Sequence, residues 1–181
     1  MKRAVYLMRI NVILAALFLI PTTVFSAELL GKQAPPFEVK SGDKDKLSLT
    51  NVQGQVIFML YEDRNATEKN QALKDQISNF VVNQMDNPDL LRLPVINASQ
   101  ANMITSPVWR QRFREKSKEE GVTVYGDWSG KMIDDYGMKP NDSNVLLIDK
   151  TGVIRFFESG LMSQEQIDTI KSMLQTLAAD T

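Results

Sequence analysis

The order of patterned segments predicts an α/β protein: a three-layer α/β/α sandwich with a mixed sheet and an N-terminal β-hairpin. Three observations carry this expectation. Short runs that are apolar on successive residues, Gln55–Tyr61, Leu91–Asn97 and Asn144–Asp149, read as strands buried on both faces. Stretches with apolar residues at helical spacing alternate with those runs, as parallel strands require. Near the C terminus, Asn144–Asp149 and Val153–Phe157 are separated only by Lys150, Thr151 and Gly152, a turn that pairs them antiparallel.

The elements follow in order. Gly31–Phe37 (GKQAPPF) is an extended lead-in, because its two prolines deny a helix. Val39–Lys40 and Leu47–Leu49 flank the polar turn Ser41–Lys46 and form a hairpin. After the first buried strand, Asn65 is a good N-cap with Glu68 three residues on. Leu73, Ile77, Phe80 and Val81 supply the apolar face of that helix, and Asn87-Pro88 stops it. The second buried strand, Leu91–Asn97, is expected to be broken at its edge by Pro94. Ser106-Pro107 opens a helix carrying Trp109 and Phe113, which ends at Gly121. Val122–Tyr125 is a short strand and Ser129–Tyr136 a short helix. Ser163–Gln166 is a second capping box, opening a final helix with the stripe Ile167, Ile170, Leu174 and Leu177.

Composition limits the chemistry. The 181 residues are 43% hydrophobic and 24% charged, as in one ordinary globular domain, and they include no cysteine and no histidine. A disulfide, a thiolate nucleophile and an iron–sulfur cluster are therefore excluded. Zinc loses its favoured ligands and general-base catalysis its usual imidazole. Residues 1–27 read as a secretory signal peptide: basic Lys2, Arg3 and Arg9, an apolar run Ile10–Ile20, then Pro21 and small residues up to Ala27. The run is shorter than the roughly 20 residues of a membrane span. Cleavage is expected after Ser26 or Ala27, leaving residues 28–181 as a single domain in the periplasm or, alternatively, secreted. Without those three cations, 18 basic residues face 22 acidic ones, a balance that argues against nucleic acid as a partner.

The pattern resembles the thioredoxin-like fold of exported peroxiredoxin- and TlpA-type proteins. The residues that carry the likeness are Gly31–Phe37, Leu47-Ser48-Leu49, Gly54 before the buried strand, and Gly152 in the late hairpin. A narrower resemblance is to the YtfJ family of periplasmic proteins. It rests on Arg64 with Glu68-Lys69-Asn70, on Asp127–Gly130, on Ser143 with Val145–Val153, and on Gly160–Ser163. That family has no assigned activity, so the likeness speaks to fold and location. In active thioredoxin-like relatives the turn after the first core strand carries Cys-x-x-Cys; the matching positions here are Asn65-Ala66-Thr67-Glu68. The relatives' cis-proline falls near Ser143, with Pro140 out of register. Thiol–disulfide exchange and peroxide reduction are excluded for this chain.

Three candidate surfaces follow. Asp63, Arg64, Asn65, Thr67 and Glu68 form a recognition loop where the relatives hold their thiols; Arg64 and a helix N-terminus there would take a carboxylate or an extended chain. A capping pair and a solvated cation explain the same residues. Asp142, Ser143 and Asn144 form the opposing loop, where a partner strand would add by backbone hydrogen bonds, or a plain polar turn. Arg110, Arg114 and Lys118, at i, i+4 and i+8, form a basic ridge, or an ordinary solvated face. The methionines are scattered as core filling rather than as a copper site, and no calcium-loop spacing occurs, so neither metal nor cofactor is expected. The leading expectation is a non-catalytic protein that binds an envelope protein or peptide. The alternatives are a non-thiol enzyme or small-ligand protein using the Asp63–Glu68 loop, and an accessory factor engaged through the basic ridge.

Overall fold

The computed structural model describes residues 29–85 and 87–179; the expected signal peptide lies outside the described residues. The chain order is β1 (Glu38–Ser41), β2 (Lys46–Ser48), β3 (Val56–Glu62), α1 (Gln71–Gln84), β4 (Leu90–Asn97), α2 (Ser106–Glu120), β5 (Tyr125–Asp127), α3 (Lys131–Asp135), β6 (Ser143–Ile148), β7 (Ile154–Ser159) and α4 (Gln164–Ala179). The strands form one sheet in the order β2-β1-β5-β4-β3-β6-β7. β3, β4 and β5 run parallel, joined through α1 and α2, while β6, β7 and the β1–β2 hairpin are antiparallel to their neighbours.

Every side chain of β3 is buried, as its unbroken apolar run predicts. The period of two sends Val56, Phe58 and Leu60 against α1 and α4, where they pack with Leu73, Ile77, Ile170 and Leu174. Ile57, Met59 and Tyr61 face the other way, toward Phe37, Met132 and Tyr136. α2 sits on its own small cluster of Phe113 with Ile96, Ala98 and Val124. The sandwich is thus the expected three layers around a mixed sheet.

Local chemistry fixes the joints. Asp149 accepts hydrogen bonds from Thr151 N and Oγ1, Val153 N and Arg155 Nε, which closes the β6–β7 turn. Ser163 and Gln166 cap α4 reciprocally, as the sequence indicates. The lead-in runs beside β7, through Gly31 N to Ile154 O and Ala34 N to Gly152 O. Pro94 lies inside β4 opposite Leu60 of β3, but β5 joins β4 only from Val95 onward. The proline therefore stands where one side of the strand is unpaired.

Two boundaries differ from the sequence reading. β5 begins at Tyr125 rather than ending there. α1 begins at Gln71, so Asn65 and Glu68 do not cap it. Residues 63–70 instead make successive tight turns, Ala66 N to Asp63 O, Lys69 N to Ala66 O and Gln71 N to Glu68 O. The helix starts where Asn70 is pinned. Its amide nitrogen donates to Ser143 Oγ and Gly160 O, and its amide oxygen accepts from Met162 N, each at 2.8 Å.

Candidate functional site

The carboxyl ends of parallel strands are where an open α/β sheet gathers its loops. Here that end collects Glu62 at the end of β3 with Asp63 beyond it, Asn97 at the end of β4, Asp127 at the end of β5, and Asp142–Asn144 at the start of β6.

Beneath the surface lies a chain of buried polar groups. Glu62 is 3% exposed. Its carboxylate accepts from Lys74 Nζ at 2.7 Å and from Ser143 Oγ at 3.3 Å. Burial pushes its pKa up to about 7, against the lowering pull of the Lys74 ammonium. Lys74 also reaches Thr67 O and Glu120, so one ammonium ties the β3–α1 loop to the end of α2. On the opposite face, Asp127 is fully buried and accepts from Ser129, Gly130, Met132 N and Tyr61 Oη. Burial raises the Tyr61 pKa far above the ordinary phenol range, so the ring stays neutral.

The recognition loop divides into anchored and free residues. Asp63 is anchored, accepting from Asn97 Nδ2 and from Asn141 N. Arg64 is exposed, with its guanidinium 5.9 Å from the centre of the Trp109 ring. Thr67 turns its hydroxyl back to Arg64 O at 3.4 Å. Asn65 and Glu68 are exposed, and neither side chain has a hydrogen-bond or ion-pair partner among the described residues. At the positions that matched the relatives' thiols, the chain thus presents two solvated polar groups.

The opposing loop lies beside this one, as expected: Glu62 pairs with Ser143, and Asp63 N donates to Asp142 O. It offers no edge to a partner strand, however. β6 is hydrogen-bonded to β3 on one side and β7 on the other, and Ser143 and Asn144 are fully buried. Strand addition at Asp142–Asn144 is therefore corrected: the antiparallel return of β7 consumes that edge. Asp142 is buried as well; against that burial, hydrogen bonds from Lys139, Lys69 and Ser143 N bring its pKa down to about 2. Asn144 accepts from Lys139 N and Ser159 Oγ and donates to Lys139 O. Every peptide bond among the described residues is trans, Lys139-Pro140 included.

The basic ridge is already engaged in part. Arg110 lies 5.2 Å over the Trp128 ring. Arg114 donates to Gly42 O and stands 3.7 Å from Asp43. Lys118 is exposed, on a groove that also holds Asp43 and Asp45. One of the three cations, Arg114, thus ties the β1–β2 hairpin to α2, while Arg110 ties α2 to the turn after β5.

The sequence reading missed a group of exposed apolar residues at the start of α2. Met103 is 95% exposed, Ile104 87% and Val108 54%. All three belong to the turn into α2 or to its first turn, where Trp109 supports Arg64. The signal was legible: two adjacent large apolar residues inside an otherwise polar turn, just before Ser106-Pro107.

The scaffold and this arrangement of loops define a thioredoxin-like protein without thiols. The chain resembles the exposed lipoprotein thioredoxin of Streptococcus pneumoniae, with 16% identity, a TM-score of 0.58, and 77% of this chain and 100% of that one covered. It also resembles the thioredoxin domain of a thiol-disulfide oxidoreductase from Bacteroides vulgatus (11% identity, TM-score 0.58, 80% and 97% covered). A third similar structure is a peroxiredoxin-like protein from Aquifex aeolicus (16%, 0.59, 82% and 86%). At such identities the likeness is one of fold. No curated protein matches the chain in sequence. The chain belongs to the family described as "Bacterial protein of unknown function (YtfJ_HI0045)", which matches residues 44–177.

Proposed function

We propose that this protein is exported to the periplasm and there binds an envelope protein or peptide through the loops at the carboxyl ends of β3 and β4. The observation that carries the reading is the exposed group Met103, Ile104 and Val108 at the end of α2 where Arg64 rests on Trp109. Single exposed apolar residues are ordinary, but several gathered at one helix start, whose Trp109 also holds a cation, are the composition of a binding surface. The loop after β3 holds no cysteine, and its Asn65 and Glu68 side chains have no partners among the described residues. The export reading rests on the basic, then apolar, then small-residue pattern of residues 1–27.

A second reading, a thiol-free catalyst, has one supporting observation: the Glu62 carboxyl is held near neutrality, where a general acid or base works best. Its burial and its bonds to Lys74 and Ser143 favour a structural role.

Native sizing of a tagged protein released by osmotic shock tests the leading reading. The expected result is a chain beginning at residue 27 or 28, migrating well above its own mass. An Arg64→Glu/Ile104→Glu variant should fall to monomer size, while Val82→Glu on exposed α1 leaves the complex intact. Retention in the cytoplasm overturns the export reading. Monomer size for the wild type, or an unchanged complex in the double variant, overturns the binding reading.

A further inference from the structure

Between α1 and the C-terminal end of α2 the sheet is left partly uncovered, and a cleft of about 170 Å³ opens there. It lies on the α1 side of the sheet, apart from the exposed group at the start of α2. Its floor is apolar, made by Phe58, Leu60 and Pro94 on adjacent strands. Its rim is charged, and the charges divide unevenly into paired and unpaired. Lys74 and Glu120 satisfy one another, with Glu62 and Lys116 as further partners. Arg92 is half-buried, makes one hydrogen bond, to Ser78 Oγ at 3.0 Å, and has no carboxylate within ion-pair distance among the described residues. Asp75 accepts only from the neutral amide of Gln71, and Glu119 has no partner among the described residues. Above an apolar floor the cleft thus presents one guanidinium and two carboxylates, none of them ion-paired.

We propose that this cleft binds a small α-amino acid with an apolar side chain. Arg92 would take the carboxylate, Asp75 and Glu119 the ammonium, and the floor the side chain. A guanidinium matches a carboxylate in shape and charge. A lone anion would meet repulsion from the two acids, and a lone cation would leave Arg92 unanswered, whereas a zwitterion satisfies both signs. Size agrees, because a cavity of roughly 150 Å³ accepts benzene, so a leucine or phenylalanine side chain fits the space.

Titration of the ¹⁵N-labelled protein with L-leucine, followed by NMR, tests this, with 4-methylpentanoate and 3-methylbutylamine as the matching acid and amine. Leucine is expected to shift amides of Phe58, Leu60 and Arg92 in a saturable manner, with both analogues binding more weakly. Arg92→Gln should weaken leucine by about tenfold or more, the loss of a charge-assisted bond. Asp75→Asn/Glu119→Gln, two exposed sites where folding is not at stake, should weaken leucine but not the acid. Absence of saturable shifts, equal binding of the acid and leucine, or indifference to these substitutions would overturn the proposal.

Discussion

Glu62 and Asn70 hold the loops at the carboxyl end of the sheet, and each supports a prediction. The Glu62 carboxyl should titrate near pH 7, against 4.5 for an ordinary glutamate, with side-chain carbon NMR as the readout. Lys74→Met should move that midpoint higher still, because the ammonium is what lowers it. The sign for stability follows. Between pH 4.5 and about 7 the unfolded chain has released this proton while the folded chain keeps it. Stability therefore falls as pH rises through that interval, and Glu62→Gln should remove this part of the slope in denaturant titrations. Asn70→Ala strands Ser143 Oγ, Gly160 O and Met162 N without their shared partner. It should cost about 2–4 kcal/mol in urea unfolding; a loss below about 0.5 kcal/mol, the surface range, would show the three bonds to be dispensable. Little of this was legible in the sequence. Glu62 merely ends an apolar run, and nothing adjacent to Asn70 announces partners 73 to 92 residues away.

Among the elements, strands and their order were the most legible part. A strand's burial pattern is a local property of sequence, and β3 and β6 are buried at every position, as their unbroken runs indicate. Helix starts were legible where the cap is local, as at Ser163–Gln166, and misplaced where a distant contact decides, as at α1. The Asn65/Glu68 pattern satisfied the local rule, yet the buried anchor at Asn70 outweighs it. Of the two readings of Asp142–Asn144, strand addition and a plain polar turn, the first is excluded by pairing on both sides. The Lys150–Gly152 turn announces the pairing with β7, and that pairing extends back to Asn144 opposite Ser159. The seat of α2 gives a test at this scale. A Cβ on Gly126 would lie 2.5 Å from the Phe113 ring and 3.0 Å from Trp128 Nε1. Gly126→Ala should therefore cost about 1–3 kcal/mol by overpacking and loosen α2 from the sheet. Hydrogen exchange should register this as faster exchange in Ser106–Glu120 and little change in α4. Uniform exchange in both helices would place the effect elsewhere.

At the scale of the whole molecule, a thioredoxin-like fold is built with no cysteine, and its β3–α1 loop carries solvated polar residues. The fold followed from the order of elements, and the exclusion of thiol chemistry from a cysteine count of zero. The surface itself was only half legible. Arg64 was picked out by position, whereas its seat on Trp109 and the exposure of Met103 and Ile104 depend on two loops meeting across β3 and β4. The basic ridge shows the reverse, a regular sequence pattern of which two members are spent on packing, Arg110 on Trp128 and Arg114 on the β1–β2 turn. The central claim is that this carboxyl-end surface recognises a partner. Site-specific photo-crosslinking in living cells tests it most directly, with probes at Asn65 and Ile104 and a control at Gln175 on the exposed side of α4. The account predicts one discrete adduct shared by Asn65 and Ile104, absent from Gln175, and lost when Arg64→Ala is added. An adduct equally strong from Gln175, or none from either loop position at matched expression, would contradict it.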